Sequence, residues 1–229
     1  MTHPGLSKIQ TPPKTLRDIV QDQMRDAIIA GHFKPGERLV ERPLCDQLGV
    51  SRTVIRETIR YLEAEGLVDI LPGKGPIVAR MSWDDARQIY DIRRMLETSA
   101  AMTCARQMTP DLENRLRGAL KDLKQVLGSD APAALFQATS AFYQVIFDGA
   151  GHSIAWEVVQ RLNGRISRLR MMTLSSTDRD QPGPVHMQAI CDAVTSGDAE
   201  AARAAINRHL DDTTRIAEHL LAGQVSEKA

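Results

Sequence analysis

The chain has 229 residues, enough for two modest domains that each bury a core. Its 29 lysines and arginines balance 29 aspartates and glutamates, which excludes a protein drawn to nucleic acid by a global field. Three widely spaced cysteines (Cys45, Cys104 and Cys191) are an odd number, which argues against a disulfide framework; they read as small buried residues of a cytosolic protein.

No signal peptide is recognisable and no apolar run is long enough to span a bilayer, so a cytoplasmic protein without a membrane partner is expected. Residues 1–14, with Pro4, Pro12 and Pro13, read as a flexible arm. Thr15 with Asp18 is a capping-box variant; it opens a helix through Ile19, Met24, Ala27 and Ile28 that stops at Gly31. Pro35-Gly36 turns the chain into Arg38-Leu39-Val40, and Glu41 to Leu48 makes a short helix ending at Gly49. Ser51 is suited to cap the next helix. That helix sets Arg52, Arg56 and Arg60 on one cationic edge, with Val54, Ile55, Ile59 and Leu62 on its apolar side. Helix, glycine turn and a polar helix start carrying arginines is what a DNA-reading helix-turn-helix needs: its first turn meets base edges and its flanks meet phosphates. A plain αα-hairpin with a solvated charged face is the alternative.

The residues that follow favour the DNA reader. Leu67-Val68-Asp69-Ile70-Leu71 has β-rich alternation, Pro72-Gly73-Lys74-Gly75-Pro76 reads as a turn, and Ile77 to Arg80 as a returning strand. A hairpin with a lysine at its tip is the wing of a winged helix. Residues 1–80 hold 12 basic and 10 acidic side chains against 17 and 19 in the remainder, so the cationic character is local.

Three stretches resemble, in order, the N-terminal signature of the GntR family of bacterial transcription regulators: Ile28 to Leu39, Leu48 to Glu57 and Leu62 to Val68. The resemblance spans roughly residues 16 to 80. It implies DNA contacts at Arg42, Ser51, Arg52, Thr53 and Arg56, with Gly73 and Lys74 in the wing. Val54 stands where many relatives carry proline and others threonine. The expected division is a winged helix-turn-helix at 15–80 and an effector-binding and dimerisation domain at 81–229.

The second domain shows no convincing strand pattern. Ser82 caps a helix with Asp85, Thr109 caps another that starts at Pro110, and helices are expected at about 83–108, 110–127, 132–148, 153–174, 184–196 and 198–222. Ser175 to Gly183 reads as a loop. The fold class is therefore mainly α: a winged helix followed by an all-α bundle of about six helices.

In the first of those helices, Ala86, Ile89, Tyr90, Leu96, Ala100 and Cys104 form an apolar stripe with Arg93 in its middle. A buried guanidinium is costly unless paired. Either Glu97, one turn on, is its internal partner, or Arg93 anchors an anionic ligand through bidentate hydrogen bonds. His186 and His209 also fall on apolar faces. They read either as hydrogen-bonded core residues or as groups meeting across a cavity.

Tyr90 to Glu97, and the run from Val185-His186 to His209-Leu210, resemble the opening and closing segments of the FCD effector domain of the FadR-type branch. That resemblance implies a divalent metal held by an Asp and a His one turn apart plus two later histidines. The later pair matches His186 and His209, but Thr139 and Tyr143 stand where the Asp and first His belong. The metal set is then incomplete, no cofactor is firmly expected, and a zinc-like ion is disfavoured. Thr139 and Tyr143 share their helix face with Leu135, Phe142 and Ile146, so they are expected to line a pocket. With Arg93, His186 and His209 they would contact a small organic acid effector; a vestigial, closed pocket is the alternative. The resemblance further implies a homodimeric regulator, most often a repressor, on a pseudo-palindromic double-stranded DNA operator. No nucleophile or acid-base pair points to an enzyme.

Overall fold

The computed structural model describes residues 14–127, 132–175 and 183–226. The expected arm, apart from Lys14, and most of the expected loop at 175–183 lie outside the described residues.

The head of the molecule is built from α1 (Leu16–Ile29), α2 (Glu41–Leu48) and α3 (Arg52–Ala64), followed by strands β1 (Val68–Leu71) and β2 (Gly75–Val78). The capping box at Thr15 forms in both directions, Thr15 accepting from the Asp18 amide and Asp18 from the Thr15 amide. Gly49 closes α2 at φ 66°, a left-handed conformation that any side chain would strain, and this makes the sharp turn into α3. Ser51 then accepts from the Val54 amide. Ile55, Ile59 and Leu62 of α3 are buried with Val20, Met24 and Ile28 of α1, so the apolar stripes of the two helices form one small core.

The wing is an antiparallel pair in which Val68 faces Val78 and Leu71 faces Gly75. The returning strand begins two residues earlier than the expected Ile77. Proline lacks an N–H for a ladder, which is why Pro76 reads as turn in sequence. In the fold its carbonyl accepts instead from the Leu39 amide, and Val78 donates to the Glu37 carbonyl. Residues 37–39 thus run beside β2 and tie the wing to the rest of the head.

The second domain contains α4 (Trp83–Arg106), α5 (Pro110–Val126), α6 (Pro132–Gly149), α7 (Ser153–Ser175), α8 (Gly183–Thr195) and α9 (Ala199–Ser226). Ser82 and Thr109 cap their helices as expected. Helix α9 is the main partner of α4, and α4 also packs on α6, α7 and α8. Two bounds differ from expectation: α4 ends at Arg106 and α9 continues to Ser226. Leu96 is half-buried rather than central to its stripe, and Glu97 takes the inward place. Cys104 and Cys191 are buried, which pushes both thiols up to about 11, whereas Cys45 is only half-buried.

The head rests on the bundle through α1 against α6 and α7. Gly164, in the interior of α7, marks the tightest approach. A Cβ built there would overlap the carbonyl oxygen of Glu65, the C-cap of α3. A helix-interior glycine costs about 1 kcal/mol relative to alanine, so close packing is the physical reason for this one. The buried Ser167 hydroxyl donates to the Gly164 carbonyl at 2.9 Å, a local bond of the kind that bends helices.

Candidate functional site

The first candidate surface is the exposed start of α3. Ser51 serves as the cap, and Arg52 and Thr53, in the first turn, are exposed at the helix end. Arg42, on α2, is exposed beside it. Arg56 is exposed but committed: its Nε donates to Glu41 Oε1 at 2.7 Å, which raises its pKa and lowers that of Glu41. The pair fixes the guanidinium against α2, so Arg56 reaches a phosphate or base only by sharing or leaving that carboxylate. Lys74 and Gly73 occupy the exposed wing tip, Gly73 with φ 73°.

Sequence reasoning passed over Arg38. Its guanidinium lies against the wing, with nitrogens 3.7 and 3.9 Å from where a Cβ on Gly75 would stand, and it has no ion-pair partner among the described residues. The Arg38–Ile77 bridge places it there. The signal in sequence was Pro35-Gly36, which turns residues 37–39 back along the wing.

The second candidate site lies inside the bundle. Arg93 and Glu97 are both about 1% exposed, and Arg93 Nε donates to Glu97 Oε1 at 2.7 Å. Burial opposes the Arg93 charge; Glu97, with Tyr143 and Tyr90 close by, more than offsets it and raises the pKa. The Tyr90 ring stands 5.6 Å from the guanidinium carbon. Glu97 is therefore the internal partner, yet the pairing is partial. Arg93 Nη1 and Nη2 and Glu97 Oε2 are buried with no hydrogen-bond partner among the described residues. Two donors and one acceptor remain side by side.

The histidines do meet. The rings of His186 and His209 lie 5.5 Å apart, centre to centre. His186 Nε2 is 3.1 Å from Asp212 Oδ2, and Asp212 Oδ1 accepts from Arg215 at 2.9 Å. A carboxylate partner calls for an N–H at Nε2. Asp212 was missed by sequence reasoning. It stands one turn beyond His209 on the buried face of α9, a spacing visible in His209-Leu210-Asp211-Asp212. Its neighbour Asp211 turns outward to Arg94.

Thr139 and Tyr143 are both buried on the inner face of α6, with Leu135, Phe142 and Ile146 as expected. The Thr139 hydroxyl donates to the Leu135 carbonyl at 2.6 Å, so it offers a ligand only acceptor capacity. The structure thus gives two clusters, Arg93–Glu97–Tyr90–Tyr143 and His186–His209–Asp212, on helices that share α4 as a wall. As a metal site the second is poorly furnished. The Asp212 carboxylate is divided between His186 and Arg215, and among the described residues no group of three His, Cys, Asp or Glu side chains is arranged to hold an ion. The residues present do not fit the divalent metal that the domain type implies.

The architecture agrees with known proteins. Residues 16–78 match the model of bacterial regulatory proteins of the gntR family, and residues 88–212 match the FCD domain. An HTH-type transcriptional regulator of Streptomyces ambofaciens is 29% identical over 221 residues, covering 92% of this chain and 90% of the relative. The transcriptional repressor RspR of Escherichia coli is 24% identical over 204 residues, covering 88% of each. A crystal structure of a GntR-type regulator from a Rhodococcus species superposes with TM-score 0.73 at 23% identity, over 89% of this chain and 97% of that one.

Proposed function

The chain belongs to the GntR family of bacterial DNA-binding transcription regulators and carries an FCD domain, and from that premise we propose a cytosolic, homodimeric repressor released from its operator by a small hydroxy acid. The observation that carries the effector class is the half-satisfied pair Arg93–Glu97. A buried donor left unpaired costs about 1–3 kcal/mol, so the two Nη groups favour an incoming carboxylate that takes both. Glu97 Oε2 would repel a bare dicarboxylate placed there. A hydroxyl next to the ligand's carboxylate turns that repulsion into a donated hydrogen bond. Tyr143 and Tyr90 supply the walls.

The histidine cluster, with its carboxylate already engaged, contacts the far end of the effector rather than a resident metal. Repression, rather than activation, follows the example of relatives such as RspR, which is named a repressor. The reading helix and wing do the DNA work: Arg52 and Thr53 at base edges, Arg42, Lys74 and Arg38 on the backbone.

The test is a melting experiment with malate against succinate, which differ by one hydroxyl, extended over hydroxy acids of three to six carbons. A ligand that binds only the folded protein at a hundred times its Kd adds about 2.7 kcal/mol. At least one hydroxy acid should raise the melting temperature by several degrees and its deoxy analogue by much less. A wild-type protein indifferent to the whole panel would defeat the effector reading.

A further inference from the structure

We infer that α7 is the seat through which the effector domain holds the reading head, and that Gly164 is its notch. The trigger we assign to it rests on the effector reading above; the seat itself does not. The C-cap of α3 comes up against α7 with the Glu65 carbonyl over Gly164, where no side chain can stand, beside the packing of α1 on α6 and α7. Glu65 is held in place from the head side. Arg25 of α1 donates to both its carboxylate oxygens, at 2.9 and 3.1 Å, and stands over the Tyr61 ring. The end of α3 that meets α7 is thus braced to α1, and the head moves as one piece on that point.

Open clefts flank the contact. One, of about 440 Å³, runs between Arg25, Tyr61 and Glu65 of the head and Gln137, Gln144 and Gln160 of the bundle. The other, of about 480 Å³, separates Glu63 and Asp69 from Arg161 and Leu162 of α7. A close contact between two clefts, with α1 resting on α6 and α7 beside it, is a point about which the head can rock. On their inner faces the same helices meet the effector site: α6 carries Thr139 and Tyr143 inward and Ser140 and Gln144 outward, and α7 packs on α4, α6 and α9. A ligand that spreads α6 from α4 therefore shifts the seat, and the head tilts about Gly164.

Hydrogen exchange on the full chain tests this. Gly164→Ala improves the intrinsic helix propensity of α7, so it should leave the bundle folded while its Cβ expels the Glu65 carbonyl. Amides of residues 61–71 should then exchange at least ten-fold faster, with those of α4 and α8 unchanged. Gly164→Ser carries the same Cβ and should do the same. Gly118→Ala is the control, because nothing lies within 4 Å of a Cβ at that helical glycine. Malate, as the probe, should change exchange at 61–71 in the wild type but not in Gly164→Ala, although it stabilises both bundles. Unchanged exchange at 61–71 in Gly164→Ala would overturn the seat. Malate failing to stabilise the wild type would instead fault the effector reading, and the exchange comparison of the ligand-free proteins would still decide the seat.

Discussion

Arg93 and Glu97 pose two demands that a single substitution confuses. Arg93→Ala removes the proposed anchor, but it also strands a buried carboxylate, and breaking such a pair destabilises a domain by about 3–5 kcal/mol. Replacing both partners with apolar residues of similar size is commonly neutral or stabilising. The double variant Arg93→Met with Glu97→Leu should therefore melt near the wild type and show no response to hydroxy acids. A double variant that kept its ligand shift would remove these two residues from the effector site. On the DNA side the arginines separate in the same manner. Arg52, in the first turn of α3, is placed for a base edge, and Arg52→Ala should weaken specific binding ten-fold or more, since a bidentate contact to guanine contributes about 1–3 kcal/mol. Arg38 lies against the wing, where the proposed role is a phosphate contact, so Arg38→Ala should weaken all sequences alike and reduce the salt slope by about 1. Binding titrations at several salt concentrations measure both, and equal behaviour of the two variants would contradict this division of labour.

Helix α6 carries hydroxyl groups, Thr139 and Tyr143, at the two positions where the domain type implies metal ligands. Thr139 spends its proton on the Leu135 carbonyl and Tyr143 presents a phenol, which with an ordinary pKa of about 10 ligates metal poorly at neutral pH. The protein purified without chelator should carry far less than one divalent ion per chain, and EDTA should leave its melting temperature unchanged. Thr139→Asp with Tyr143→His should create a zinc-dependent rise. Near-stoichiometric metal in the wild type, stripped by EDTA with loss of stability, would show that another side chain completes the site. The departure at α6 was readable in sequence because it is a substitution of residue type within a helix of plain periodicity. Helix ends marked by Thr15, Ser51, Ser82 and Thr109 were equally readable, since caps are local chemistry. What escaped was non-local. Arg38 gains its place only when residues 37–39 run along β2, Arg56 meets Glu41 across two helices, and Gly164 acquires its meaning from a carbonyl 99 positions away in sequence. Asp212 lay in plain view, but only the fold decides which of two adjacent aspartates turns inward.

At the scale of the whole molecule the charge balance limits how the protein can find its operator. With no net charge, the cations proposed to reach DNA are those of α2, the start of α3 and the wing, and a single head then offers few phosphate contacts. Affinity must then come from linking two heads. Joining two binding modules makes the second engagement intramolecular and adds about 10²–10⁴ in avidity without any new contact. A two-fold dimer of this chain would present two copies of α3 to half-sites about one helical turn apart, or a multiple of it. Sedimentation should accordingly show a dimer at micromolar concentration. An operator with one half-site scrambled should bind at least about 100-fold more weakly, and inserting five base pairs between intact half-sites should cost as much, because the second site then faces away from its head. Gly164→Ala should narrow that second penalty, since heads released from α7 search a wider range of spacings. A monomer that bound one half-site as tightly as the full operator would refute the dimeric reading, and with it the reason for a seat that fixes the heads at all.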